Sequence, residues 1–256
     1  VPAATIAVSG AQLAAARAAE PYVGSASATA GEYAVAAAAF AGVAADGRDL
    51  ASLLYHPAVT ALLAIRAGRD TDTALAAGLA TLDMAVRTEV ADAGRAADQV
   101  AITARREVEG YIRVVVGPTC SRCVILAGRW YPYSTGFQRH PSCDCQMWPA
   151  SRVEAAGIVQ TPRSVYESMT PEERSKAGWS GDDQRAIDAG ADIAQVTNIH
   201  RGGLYVAGGK RYTYESTSRR GVTRGQPRPT PRQIFLDAAG DRDLAVSLLK
   251  RFGYIR

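Results

Sequence analysis

Between Asp70 and Val90 the apolar residues Leu75, Leu79, Leu82, Val86 and Val90 recur at steps of three and four. That spacing lays one stripe along an amphipathic helix, which Asp70 or Thr71 can cap with a side-chain oxygen. Upstream, the chain to about Asp49 is rich in alanine, most of all from Tyr33 to Ala45, and poor in large apolar anchors. It reads as helix that leans on a neighbour. Pro57 to Ala67 reads as a short helix opened by His56-Pro57, because a proline's missing N–H is harmless in a first turn, and closed by Gly68. Gly94 is expected to interrupt the long helix, with another running from Arg95 to Glu109. The period then changes: Tyr111 to Val116 is rich in β-branched residues and ends at Gly117-Pro118, which predicts a strand.

Further on, Thr161-Pro162 predicts a helix start, and Thr170-Pro171-Glu172-Glu173 has the form of a capping box. Asp182 to Ala189 reads as a helix closed by Gly190, and Asp192 opens another toward Asn198. Gly208-Gly209 between Leu204–Ala207 and Lys210–Glu215 predicts a β-hairpin, because glycine accepts the positive φ of a two-residue turn. Residues 216–229 carry Arg219, Arg220, Arg224 and Arg228 among glycine and proline without apolar periodicity, and are expected to form an extended basic arm. Thr230-Pro231-Arg232-Gln233 suggests a second capping box. A final helix, from Asp241 to Phe252, places Leu244, Leu248, Leu249 and Phe252 on one face before Gly253.

These elements predict a mainly α protein with a small β module (α+β): an Ala-rich helical region 1–109, a module 110–202 with a central β-ribbon whose cysteines and histidine between Cys120 and Cys145 would make it zinc-clamped, a hairpin and basic Arg/Pro-rich arm 203–229, and a C-terminal helical unit 230–256. Composition agrees, with 47% hydrophobic and 21% charged residues in a 256-residue chain, an ordinary globular balance. The charge is unevenly spread. Residues 1–100 hold 6 Lys/Arg against 10 Asp/Glu, so the whole basic excess behind the net +4 lies in residues 101–256. An acidic partner or nucleic acid is therefore expected near the second half, through Arg219, Arg220, Arg224 and Arg228, whose guanidinium groups would displace counterions from phosphates. No apolar run reaches the roughly 20 residues of a membrane-spanning helix, and no secretory signal opens the chain. The expected place of action is a cytosol or a particle.

All four cysteines lie within residues 120–145. Cys120 and Cys123 form a Cys-x2-Cys pair. His140 and Cys143 repeat the spacing, and Cys145 follows. Two such pairs supply the tetrahedral nitrogen and sulfur shell that Zn²⁺ prefers, so four of Cys120, Cys123, His140, Cys143 and Cys145 are expected to hold one structural zinc ion, with Cys145 either a ligand or a support to one. Disulfides would need an oxidising compartment, and a nucleophilic cysteine a basic partner such as His140. A catalytic zinc keeps a position open for water, with a carboxylate such as Asp144 beside it. Met147, Trp148, Trp130 and Tyr131 are expected to pack over the metal loop, with ordinary core packing the default for all four, while His56 and His200, isolated in sequence, receive no role.

At this cluster the sequence resembles the Mu protein F-like minor head proteins of tailed bacteriophages, in Cys120-Ser121-Arg122-Cys123, Ala127-Gly128-Arg129 and His140-Pro141-Ser142-Cys143-Asp144-Cys145. The run from Ala186 to Ile193, then Gln195 to Asn198 and Arg201-Gly202, is similar to actinobacteriophage relatives. The likeness spans roughly residues 110 to 202. It implies a structural head-morphogenesis protein, in the capsid interior or at the portal vertex of the virion and in the host cytoplasm during assembly. Its implied partners are the portal or major capsid protein and, without sequence preference, packaged DNA. Related phage genes include capsid maturation proteases and attached ADP-ribosyltransferases. Neither active site is visible here, so no catalytic residue is assigned, and a maturation protease or zinc-dependent hydrolase stands as the alternative. A zinc-dependent DNA-binding regulator would differ by distinguishing sequences.

Overall fold

Asp70 caps a 33-residue helix, accepting the Thr73 N–H at 2.9 Å, and this helix organises the first half of the protein. A computed structural model describes residues 1–256 except Pro118, Ala156, Ile158, Val159, Gly202, residues 216–226 and Arg256. The chain divides into two units, residues 1–117 with 128–159, and residues 118–127 with 160–256.

In the first unit, α1 (Pro2–Ser27) and α2 (Leu50–Arg66) both pack on α3 (Thr71–Thr103). Small residues let the backbones approach: Ala16, Ala19 and Val23 of α1 meet Ala97, Ala101 and Ile102 of α3, with Val108, Tyr111 and Met147 completing the core. A smaller cluster joins Val8, Leu50 and Leu54 to Leu82, Val86 and Val90. At the end of α3 the buried Arg105 guanidinium donates to Glu20, Thr29 and Ala101, holding α1 in place.

Several sequence expectations are corrected here. The alanine-rich stretch from Tyr33 to Ala45 is not a helix beyond a 3-10 turn at Ala37–Phe40. The buried Gln12 side chain takes the Gly42 N–H and donates to the Val43 carbonyl, and Glu89 takes the Ala45 N–H, so side chains hold backbone groups that a helix would otherwise pair. Helix α2 begins at Leu50, not Pro57, because Asp49 caps it through the Ser52 N–H and Leu50 and Leu54 anchor its first turns. Gly94 lies within α3, its Cα side in contact distance of Ala15 on α1, and marks a close helix approach instead of a break. Leu75 and Leu79 are exposed. The buried positions at that end are Ala74 and Gly78, and a Cβ at Gly78 would meet the Pro57 carbonyl at 3.0 Å.

The β module follows: β1 (Gly110–Val114) is central, paired antiparallel with β2 (Trp130–Pro132) and β3 (Gln146–Ala150). The register sets Ile112 opposite Trp130 and Trp148, and Tyr111 opposite Tyr131 and Pro149. Gly110 is required, since a Cβ there would strike the Tyr131 carbonyl and the Trp130 ring. A single turn, α5 (Arg152–Ala155), follows β3.

In the second unit, Cys120 and Cys123 lie on or beside the one-turn helix α4 (Ser121–Val124). Helices α6 (Pro162–Ser168), α7 (Pro171–Lys176), α8 (Gly181–Asp188) and α9 (Ile193–Asn198) start at Thr161, Thr170, Ser180 and Asp192, each side chain taking an N–H three residues on. The hairpin of β4 (Leu204–Ala207) and β5 (Lys210–Thr213) turns through Gly208 and Gly209, both at positive φ. Beyond it, β6 (Arg228–Pro229) adds a third strand, and α10 (Pro231–Asp237) and α11 (Arg242–Arg251) close the unit. At Thr230 only half of the expected box forms: Gln233 turns away, accepting the Arg211 N–H and donating to Asp237. On α11, Ala245 and Leu249 are buried, while Leu244 is exposed.

Candidate metal centre

The Cys-x2-Cys pair becomes one helical turn. The Cys120 carbonyl accepts the N–H groups of Cys123 and Val124 at 3.0 and 3.1 Å, which sets two side chains three residues apart on one face. Gly128, at φ 72°, then donates to the Arg113 carbonyl.

The second pair hangs on α3. Thr88, Asp92 and Arg95 stand at i, i+4 and i+7 along that helix and so share a face. The Thr88 hydroxyl accepts the Ser142 N–H at 3.0 Å, Asp92 takes the Arg139 guanidinium, and Arg95 donates to the carbonyls of Cys143 and Cys145. Asp92 also accepts from Arg95, so the carboxylate holds both arginines. Ser142 is driven to φ 57°, a left-handed conformation that a non-glycine residue adopts only when its surroundings impose it. His140 Nδ1 lies 2.7 Å from the Pro141 carbonyl. A carbonyl only accepts, so this contact places a proton on Nδ1, and a hydrogen bond of this kind fixes the orientation of the ring.

All five predicted donors are brought together in two overlapping groups, Cys120 with Cys123 and His140, and Cys123 with Cys143 and Cys145, the ligand atoms in each within 4.8 Å of one another. Cys123, Cys143 and Cys145 are buried and Cys120 is half-buried. A tetrahedral ion with bonds of roughly 2.3 Å to sulfur sets its thiolates about 3.8 Å apart, so a set this close and rich in soft donors, three of them buried, suits a thiophilic ion. The groups could hold a metal ion.

Around this site burial perturbs other groups. Asp98, on α3, is pushed up to about 7 by desolvation, against the pull of Arg95. Tyr22 is pushed up to about 12, again mainly by burial and then by Asp98, and its hydroxyl donates to the Met147 carbonyl at 2.7 Å. Met147 is buried in the helical core, the default expected for it, whereas Trp148 is exposed and does not share that packing. Tyr131 stacks on Tyr111, and Trp130 lies under the Arg152 guanidinium.

The basic arm fares differently. Arg219, Arg220 and Arg224 lie outside the described residues. Arg228, expected beside them, is corrected: it is buried in β6, stacked 3.8 Å over the Tyr254 ring and donating to Phe252, Gln195 and Glu215. Desolvation lowers its pKa, and it is turned away from any surface phosphate. His56 is exposed on α2, whereas His200 pairs with Asp183. What sequence reasoning missed is the support from Thr88, Asp92, Arg95 and Arg139; the legible signal was a polar face repeating at helical spacing on α3.

A mainly helical protein with small antiparallel sheets and a cluster of thiols able to hold a metal is the class these features define. The sequence model of the VG15 protein family matches residues 3–171, more than half of the chain and all five donors, and the protein belongs to that family, a family of phage proteins. No curated protein and no solved structure matches. Among the described residues no helix is long and apolar enough to cross a membrane.

Proposed function

We propose that this chain is a structural minor head protein of a tailed phage, of the Mu protein F-like type, that acts in head assembly and DNA packaging from the capsid interior or portal vertex. Membership of a phage protein family over residues 3–171 carries this reading, and the thiol cluster shared with the resemblance of residues 110–202 supports it. The ion is zinc, held by four of the five donors. Five protein donors for four positions leave none for a substrate water, which favours a fold-stabilising ion over a hydrolytic one. No catalytic role is assigned to the chain. Its partners are the portal or major capsid protein, with Arg219, Arg220 and Arg224 touching packaged DNA without sequence preference.

Purified particles test the role: mass spectrometry and density should find the chain in the head in few copies. Finding it only free in the host cytoplasm would overturn it. Elemental analysis of the purified chain should return about one zinc per molecule, and a metal-free protein would remove the zinc assignment while leaving the assembly role to the particle result.

A further inference from the structure

In the second unit a cavity of about 290 Å³ is lined by Ser180, Asp183, His200, Leu204, Arg211 and Arg232 among others. It takes no part in the metal centre. Its charged groups come from separate elements: His200 follows α9, Arg211 is in β5, and Arg232 opens α10. His200 Nε2 lies 2.9 Å from Asp183 Oδ2, an oxygen that also accepts the Ser180 N–H and hydroxyl at 2.9 and 2.7 Å. Asp183 is 2% exposed, so these contacts to Oδ2 are made inside the fold. Its hydrogen bond raises the His200 pKa above the ordinary histidine value, against the opposing effect of burial.

Arg211 and Arg232 contrast with that pair. Among the described residues neither guanidinium makes an ion pair or hydrogen bond. Most other arginines of this unit stack on rings or pair with carboxylates, as Arg174 does with Tyr166 and Asp188. Asp183 balances the charge of His200, so the two unpaired guanidinium groups leave the cleft with a cationic excess. Guanidinium forks match phosphate oxygens in geometry and charge. The volume exceeds a single phosphate, and Leu204 gives the remainder an apolar wall, suited to the organic part of an ester.

We propose that this cleft binds the phosphate of a phosphate monoester, with Arg211 and Arg232 holding its oxygens and His200 donating a further hydrogen bond. The ester could be a free nucleotide or the phosphorylated end of a nucleic-acid strand. The proposal stands on the second unit alone and is independent of the metal and of the assembly role.

Calorimetric titration of the full chain with inorganic phosphate, dAMP and a short 5′-phosphorylated single strand tests it. Saturable binding is expected, weakened about tenfold by Arg211→Gln or Arg232→Gln, both exposed positions whose melting should stay at the parent value, and unaffected by Arg242→Gln outside the cleft. dAMP and the phosphorylated strand should each bind more tightly than deoxyadenosine and the unphosphorylated strand. Whichever of the two binds better identifies the source of the ester. Absence of saturable binding below roughly 10 mM, equal affinity with and without the phosphate, or indifference to both arginine substitutions would overturn the site.

Discussion

Cys123 belongs to both overlapping donor groups, whereas Cys120, His140, Cys143 and Cys145 each belong to one. Whichever four donors close the shell, a set drawn without Cys123 would have to span both groups with no shared atom. Cys123→Ser should therefore reduce bound metal from about one equivalent to near zero by elemental analysis, and a variant that keeps a full equivalent would contradict this geometry. Single substitutions at the other four donors should spare metal at one position only, the donor outside the shell. Asp98 gives the pH behaviour. An acid whose folded pKa is raised is not penalised while protonated in both states; its cost grows as pH rises past the unfolded value and is complete above the folded one. With Asp98 at about 7, that cost develops between about pH 4 and pH 7. Asp98→Asn should thus stabilise the protein by about 2 kcal/mol at pH 8, a figure halved for partial exposure, and change little near pH 4. Denaturant titration at the two pH values measures it, and equal effects at both would refute the assignment.

Among the elements, α3 does two things with two faces. One packs alanines and Ile102 against α1, and the other lines up Thr88, Asp92 and Arg95 to hold the loop that carries Cys143 and Cys145. The β module is positioned just as tightly by β1, where Gly110 lets β2 lie close. Gly110→Ala should cost about 2–3 kcal/mol in chemical denaturation, because the added methyl group meets backbone that cannot yield. A neutral result would mean the β1–β2 pairing differs from the register of Gly110 opposite Pro132. Several capped starts were legible in the sequence, since Asp70, Thr161, Thr170 and Asp192 all cap as expected, but the caps Asp49 of α2 and Ser180 of α8 were not. Nor were elements read from propensity, since Tyr33 to Ala45 has the best helix former at most positions and still makes a loop.

For the molecule as a whole, a thiol-bound ion adds its binding free energy to folding. Removing it with a chelator should lower the melting midpoint by about 5–15 °C and expose residues 119–146 to protease, with both effects reversed by zinc. An unchanged midpoint would show that the fold does not depend on the ion. The match to the VG15 protein family ends at residue 171. The cleft of Arg211 and Arg232 lies beyond it, so its chemistry has to be read from its own residues.

By itself the sequence determined which cysteines and histidine cluster, several of the capped helix starts, the glycine hairpin and the mainly helical class, because each is written in residue types at short fixed spacings that local geometry converts directly into structure. Only the tertiary structure decided that Gly94 is a helix contact, that Leu75 and Leu79 face outward, that Arg228 is buried against Tyr254, and that His200 meets Asp183. Each of these depends on a partner far along the chain, and the energy of burial or of a satisfied hydrogen bond with that partner outweighs the local preference of the residue.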